Sequence, residues 1–355
     1  MRETESLEPN KRMDIALLSL LAWFILPPGA GAVCSAPGVS GELRTLISQG
    51  VDLTLKQDYN SADSVFRIAS ERFPSHPYGN LYRAAVMEAK SIDNLDPLDF
   101  PVFDSLITLA KSQAEQMIEL APNSALGYYL RGTAIGFDAY AQVDAGNWLG
   151  GIVKGLSAAT DLKKTLELDS SFYDAYAGVG TYYYWKSKKA EFLNWALGDR
   201  RTEGIRLLEI AAEKSENNKF AALSALTAIY LDTGQSNLAI ESARRALARY
   251  PENRVFLWGL ASGQDQAGSR GDAIQTYERL LKNILDAKIS NPYNEISCRM
   301  NIVKAKLALN QTEGVSTQLD AILAFDQHKF PETLATRAKN KFEEARNIRE
   351  KLVVR

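Results

Sequence analysis

Residues Phe220 to Leu281 read FAALSALTAIYLDTGQSNLAIESARRALARYPENRVFLWGLASGQDQAGSRGDAIQTYERLL. Displaced by 34 residues, the stretch matches itself: Leu223 falls on Leu257, Leu226 on Leu260, Gly234 on Gly268 and Ala239 on Ala273. A fixed period of this size marks a repeat array. Within one period Leu223, Leu226, Thr227 and Tyr230 share one helical face. Asp232-Thr233-Gly234-Gln235 then breaks the helix, with Gly234 placed to cap its C-terminus. Ala239, Ala243 and Ala246 space a second helix whose small side chains let neighbours approach, and Pro251 stops it.

These positions together resemble the tetratricopeptide repeat (TPR), which sets a bulky residue, Leu with a small residue, Tyr, three small or aromatic positions and Pro in that order. Here they are Leu223, Leu226, Thr227, Tyr230, Ala239, Ala243, Ala246 and Pro251. The next unit places Tyr277 at the middle position and departs with Leu280 and Leu285 in place of Ala and Pro. The resemblance implies an all-α fold: a right-handed α-solenoid of helix-turn-helix pairs, used within the family as a general scaffold for proteins and peptides.

Working outward, further units follow. The first, near residues 43–76, has Leu46, Gly50 and Leu53, then Ala62, Phe66 and Ala69, with Pro74 at its end. Gly50 to Ala62 spans 12 residues, as does Thr227 to Ala239. In the next three units the same interval is 25 (Ala85 to Ala110), 26 (Gly132 to Ala158) and 24 (Gly180 to Gly204). Repeats two to four therefore carry lengthened helices or inserts, all at the turn between the two helices. Equivalent turns project from one edge of a solenoid and often build its binding face; the same residues can equally lengthen the helices and deepen the core. After a looser seventh unit, residues 331–355 read as a charged capping helix, giving an array over residues 43–330.

The N-terminus differs in kind. Lys11-Arg12, the apolar run Ile15–Leu26, a Pro27-Pro28-Gly29 break and Ala30-Gly31-Ala32 form a secretory signal peptide over residues 1–32, followed by a linker over 33–42. The protein is expected to be exported, with the periplasm as destination. The alternatives are a membrane anchor made by the uncleaved leader, or lipidation at Cys34, which Val33 disfavours as the residue before it. Membrane association is thus expected only through this segment.

The 355 residues are 46% hydrophobic and carry 41 basic against 43 acidic side chains, a formal charge of −2. Such a balance gives no nucleic-acid footprint. Two Cys and two His are too few for a clustered zinc site. His76 lies in an inter-repeat turn and His328 in the last turn, too far apart along an array to share a site. Gly146–Gly155 lacks the Lys-Ser/Thr ending of a phosphate loop, so its glycines suit a tight turn and close packing. Asp93, Asp96, Asp99, Asp138 and Asp144 can form an acidic rim, the arrangement a helical-toroid hydrolase would need.

Aromatics concentrate in the third and fourth units. The run Tyr182-Tyr183-Tyr184-Trp185 cannot face one way on a helix, since successive residues turn about 100°. One or two of its rings are expected to reach the surface or a groove. Tyr, Trp and Arg are favoured as interface anchors. The expected partner site is Tyr129, Arg131, Tyr140, Trp148, Tyr184, Trp185, Lys186 and Trp195. The function expected is a non-catalytic envelope scaffold for a protein or peptide, needing no cofactor or metal. The alternatives are an outer-membrane-tethered assembly lipoprotein and the hydrolase.

Overall fold

A computed structural model describes residues 39–189, 191, 198–215, 218–289, 291–326 and 329–353. The expected leader, Cys34, Phe192, Trp195 and His328 lie outside the described residues. Fifteen helices occur among the described residues: α1 (Gly41–Leu55), α2 (Tyr59–Arg72), α3 (Tyr78–Asn94), α4 (Phe100–Leu120), α5 (Ala125–Asp144), α6 (Trp148–Leu168), α7 (Tyr173–Lys189), α8 (Arg201–Lys214), α9 (Lys219–Asp232), α10 (Ser236–Leu247), α11 (Arg254–Gln266), α12 (Arg270–Ala287), α13 (Tyr293–Ala308), α14 (Val315–Leu323) and α15 (Glu332–Val353). Short connections make sequence neighbours pack as helical hairpins. The chain is an all-α solenoid of TPR-like helix pairs.

The chain divides into two compact units. One runs to Ala89 and from Leu98 to Asp232; the other comprises Lys90–Pro97 and Thr233–Arg355.

The first unit holds the lengthened repeats. Three of the four helices in α3–α6 exceed 17 residues or reach 21, against 12 to 14 for α9 to α11. In repeats two and three the extra sequence is absorbed as added turns of helix, and only short loops remain between α3 and α4 and between α5 and α6. Polar side chains mark the starts. Asp99 accepts from Val102 N at 3.4 Å, Ser124 from Gly127 N at 3.3 Å and Asn147 from Gly150 N at 3.0 Å, each meeting a backbone donor that the helix leaves free.

Two glycines set the depth of α7. A Cβ on Gly180 would lie 2.7 Å from the Gly204 carbonyl oxygen, and one on Gly204 would lie 2.6 Å from the Gly180 oxygen. The backbones of α7 and α8 therefore touch without intervening side chains. A buried polar cluster holds the start of the same helix. The Asp174 carboxylate accepts from Ser215 Oγ and from Asn218 N at 3.1 Å, and Asn218 Nδ2 donates to the Asp174 carbonyl at 2.8 Å.

The second unit contains the matched repeat. Leu257 and Ala273 are fully buried, like their first-unit counterpart Leu223 and like Ala239. Gly234 and Gly268 both adopt left-handed backbone, at φ +73° and +83°. α15 turns Leu334, Ala338, Phe342 and Ala345 onto a cluster with Ile296, Met300, Val303 and Leu319. Its polar residues stay outside, the division a terminal helix needs.

Residues 90–97, which overlap the first expected insert (residues 91–103), are bound inside this unit. Arg254 Nε donates to the Asp93 carboxylate at 3.0 Å, with Nη2 making a second bond. Asn294 Nδ2 donates to the Asp93 carbonyl at 2.6 Å and Asn291 Nδ2 to the Leu95 carbonyl at 2.9 Å. Leu95 packs against the cluster beneath α15. Asp93 is thus a buried ion-pair member rather than part of an exposed acidic rim.

Two stability outcomes follow from this packing. Gly234→Ala meets no neighbouring atom, so its cost is conformational, about 1 kcal/mol, whereas Gly180→Ala must separate two backbones and is expected to cost about 3 kcal/mol; urea unfolding followed by far-UV circular dichroism ranks them, and equal losses would remove the close contact. Arg254→Met leaves the Asp93 charge buried and unpaired, and the same measurement should show a loss of about 3 kcal/mol.

Candidate functional site

A cleft opens on the first unit between α5, α6 and α7. Tyr140 and Val143 come from α5, Trp148 and Ile152 from α6, and Tyr182, Trp185, Lys186 and Lys189 from α7. These residues converge for local reasons. Gly146, at φ +82°, turns the chain tightly from α5 into α6. Gly151 then brings α6 against α5, since a Cβ there would lie 3.1 Å from the Ala139 oxygen. The glycines of residues 146–155 therefore serve turning and packing.

The cleft is narrow, with about 20 Å³ of enclosed room, which is enough for roughly one water. Its walls are aromatic and aliphatic. Tyr184 and Trp185 meet edge to face at 5.2 Å, with Trp185 only 1% exposed. The Trp185 indole N–H has no acceptor. Lys189 Nζ lies 4.8 Å from the Trp148 ring centroid, a cation–π contact. Burial lowers the Lys189 pKa, and the neighbouring Lys188 charge lowers it further. Lys188 itself is held by Asp232 and sits 5.6 Å over Trp185.

The cleft continues onto an exposed apolar face of α6. Trp148 is 41% exposed and Leu149 78%, and Ile152, Val153 and Leu156 are also exposed. The spacing i, i+4, i+8 through Trp148, Ile152 and Leu156, with Leu149 and Val153 beside them, makes one continuous stripe.

Of the expected site residues, the structure gathers Tyr140, Trp148, Trp185 and Lys186 at this cleft. Three others are placed elsewhere. Tyr129 is buried, stacks on Phe172 at 4.8 Å and accepts from Asn218 Nδ2 at 3.2 Å, so both its ring and its hydroxyl are used inside the core. Tyr184 is buried and donates to Asp232 at 3.3 Å. Arg131 forms a bidentate pair with Asp161, both bonds at 2.7 Å, which fixes α5 to α6. Trp195 lies outside the described residues. All four rings of Tyr182–Trp185 are buried, because α7 packs against α6, α8 and α9. None reaches the surface, although Tyr182 and Trp185 line the cleft. The sequence reading missed Val143, Ile152, Tyr182 and Lys189. Period-four apolar spacing in α6 was the available signal for Ile152.

Three of the five carboxylates considered for hydrolysis are committed to other tasks. Asp93 pairs with Arg254, Asp99 caps α4 and Asp138 pairs with Lys154 at 2.6 Å. Glu88 is fully buried, and its two carboxylate oxygens have no hydrogen-bond partner. Burial, and then the Asp144 charge, push its pKa well above the usual carboxylate range. Among the described residues no three His, Cys, Asp or Glu side chains gather to hold a metal ion, and no helix is long and apolar enough to cross a membrane.

His76 stacks on Tyr78 at 4.8 Å, and its Nδ1 accepts from Tyr78 N at 3.4 Å. Burial lowers its pKa from 6.5 to about 4. Between those values the unfolded chain binds the extra proton, so this residue's contribution to stability falls as pH drops from 6.5 towards 4. His76→Phe is expected to flatten that part of the stability–pH curve in urea titrations; an unchanged slope would place the protonation at other groups.

No family model matches the chain, and no curated protein matches it. Solved structures similar to it include a thermophilic TPR protein of Thermus thermophilus, at 18% identity and TM-score 0.41 over 62% of this chain and 98% of that one. Another is the C-terminal part of a TPR repeat-containing protein of Cytophaga hutchinsonii, at 16% identity and TM-score 0.44 over 82% of this chain and 98% of that one. Yeast Tom70 is similar at 14% identity and TM-score 0.41 over 96% of this chain and 72% of that one. The chain's own 34-residue period, left-handed glycine turns and helix pairs carry its TPR-like character.

Proposed function

We propose that the protein is a non-catalytic binding scaffold of the cell envelope, and that the α5–α6–α7 cleft takes an apolar segment of a protein partner. The observation that carries this reading is the exposed face of Trp148, Leu149, Ile152, Val153 and Leu156, continuous with the aromatic cleft. Contiguous apolar surface on a folded chain marks an interaction site more often than isolated apolar residues do. A half-exposed Trp beside a buried one gives the anchor chemistry that interfaces favour. The dispersal of Asp93, Asp99 and Asp138 into structural pairs and caps supports a role without catalysis. Export is supported by the leader pattern over residues 11–32.

A photo-crosslinking amino acid at Leu149 tests the site in the native host. It should trap a defined partner, and Trp148→Ala should remove most of the adduct while far-UV circular dichroism stays unchanged. Leu120, also well exposed but off the cleft, serves as control. Equal adducts from both positions, or none from Leu149, would overturn the assignment.

A further inference from the structure

The cleft's charged groups are of one sign. Lys186 and Lys189 line it beside the Trp185 ring. A lysine ammonium donates and has no acceptor capacity. Among the described residues neither Lys186 nor Lys189 makes an ion pair. The nearby cation Lys188 is matched by Asp232, and Lys154 by Asp138. Glu191 and Asp199 both pair with Arg201. Asp144, next to Val143, has Glu88 and Tyr140 as electrical neighbours. The residues 148–159 that form the exposed stripe hold a single charge, Lys154.

Lys189 carries a cost, since it is partly desolvated and placed beside the cation Lys188. That cost is relieved by one kind of incoming group, an anion with acceptor oxygens. The narrow aromatic walls require that this group arrive on an apolar body.

We propose that the segment captured at this cleft is acidic as well as apolar: its hydrophobic side chains lie on Trp148 and the α6 stripe, and a carboxylate meets Lys186 and Lys189. This rests on the cleft being the binding site and specifies the chemistry of its partner. Lys186 and Lys189 supply donors to one place, and Asp232, the acid whose charge acts on Lys189, is already bonded to Lys188.

The test uses fluorescence anisotropy with the mature full chain and a short labelled peptide of leucine, phenylalanine and alanine carrying two glutamates. Versions with glutamine and with lysine at the same positions accompany it. The glutamate peptide is expected to bind about tenfold more tightly than the glutamine one at low ionic strength, with the gap closing as salt rises. The Lys186→Gln/Lys189→Gln double variant should bring the glutamate peptide to the glutamine peptide's affinity. Equal binding of the two peptides, or tighter binding of the lysine version, would overturn the acidic assignment and leave the cleft standing as an apolar site. Failure of every peptide to bind, or binding untouched by Trp148→Ala, would overturn the cleft itself. Flotation on phosphatidylglycerol vesicles, lost in the double variant, with no peptide preference would assign the surface to anionic lipid and overturn the proposal.

Discussion

Where the α7 and α8 backbones touch at Gly180 and Gly204, no side chain separates them. That contact sets how far α7 sinks between its neighbours, and much of the first unit depends on it. A helix this deep must be covered on all sides, so Tyr182, Tyr183, Tyr184 and Trp185 are all buried although they point in different directions. Their bulk then occupies space that glycine vacates. Burying large rings stabilises by some 2–3 kcal/mol each, so the contact between glycines is offset many times over by the aromatics around it. The cleft is the outer margin of the same arrangement, where Tyr182 and Trp185 run out of helix to face.

Buried polar groups give each unit its register. Asp174 receives donors from Ser215 and Asn218, and Asn218 continues to the Tyr129 hydroxyl. In the other unit Asp93 receives Arg254, while Asn294 and Asn291 take up the carbonyls of Asp93 and Leu95. Each cluster joins residues far apart in sequence, which apolar packing alone would leave free to slide. A buried ion pair is weak evidence for net stability, but a displaced one is expensive. The clusters therefore act mainly against wrong arrangements. Glu88 is one exception: its carboxyl oxygens have no hydrogen-bond partner, and burial raises its pKa well above the usual carboxylate range.

The sequence shows the repeat clearly because period and turn chemistry are local. Gly234 and Gly268 announce left-handed turns that glycine adopts freely. Left-handed backbone also occurs at Gln57 and Leu95, whose side chains announce nothing of the kind, and at Asn310, a residue type that tolerates it. The extra residues in repeats two to four are plain in the spacing, yet whether they form loops or helix turns depends on what lies opposite. In repeats two and three they became helix, because the neighbouring helices lengthened in step. The site was legible only in part. Trp148 and Lys186 followed from composition near a turn, but Tyr129 and Tyr184 looked the same in sequence and are core. The first half of α6 is apolar nearly all round: Gly151, Gly155 and Ala158 face inwards, while Leu149, Val153 and Leu156 face out. Hydrophobic periodicity cannot choose between two apolar faces. Here the choice is made by size, since only the small residues fit against α5.

That sorting by size also explains why the apolar residues outside cannot simply be spare core. A helix turned to bury Leu149 and Val153 would have to withdraw Gly151 from the Ala139 oxygen and Val143, and would break the Lys154–Asp138 pair. The large side chains are therefore committed to the exterior by the small ones. Exterior leucine and valine next to a narrow aromatic slot gain little from water, and the slot holds too little room for a sizeable ligand to enter whole. A partner that lies along the stripe and puts one side chain into the slot satisfies both constraints. A segment of polypeptide has that form, with apolar residues repeating along one side and a side chain free to project from it.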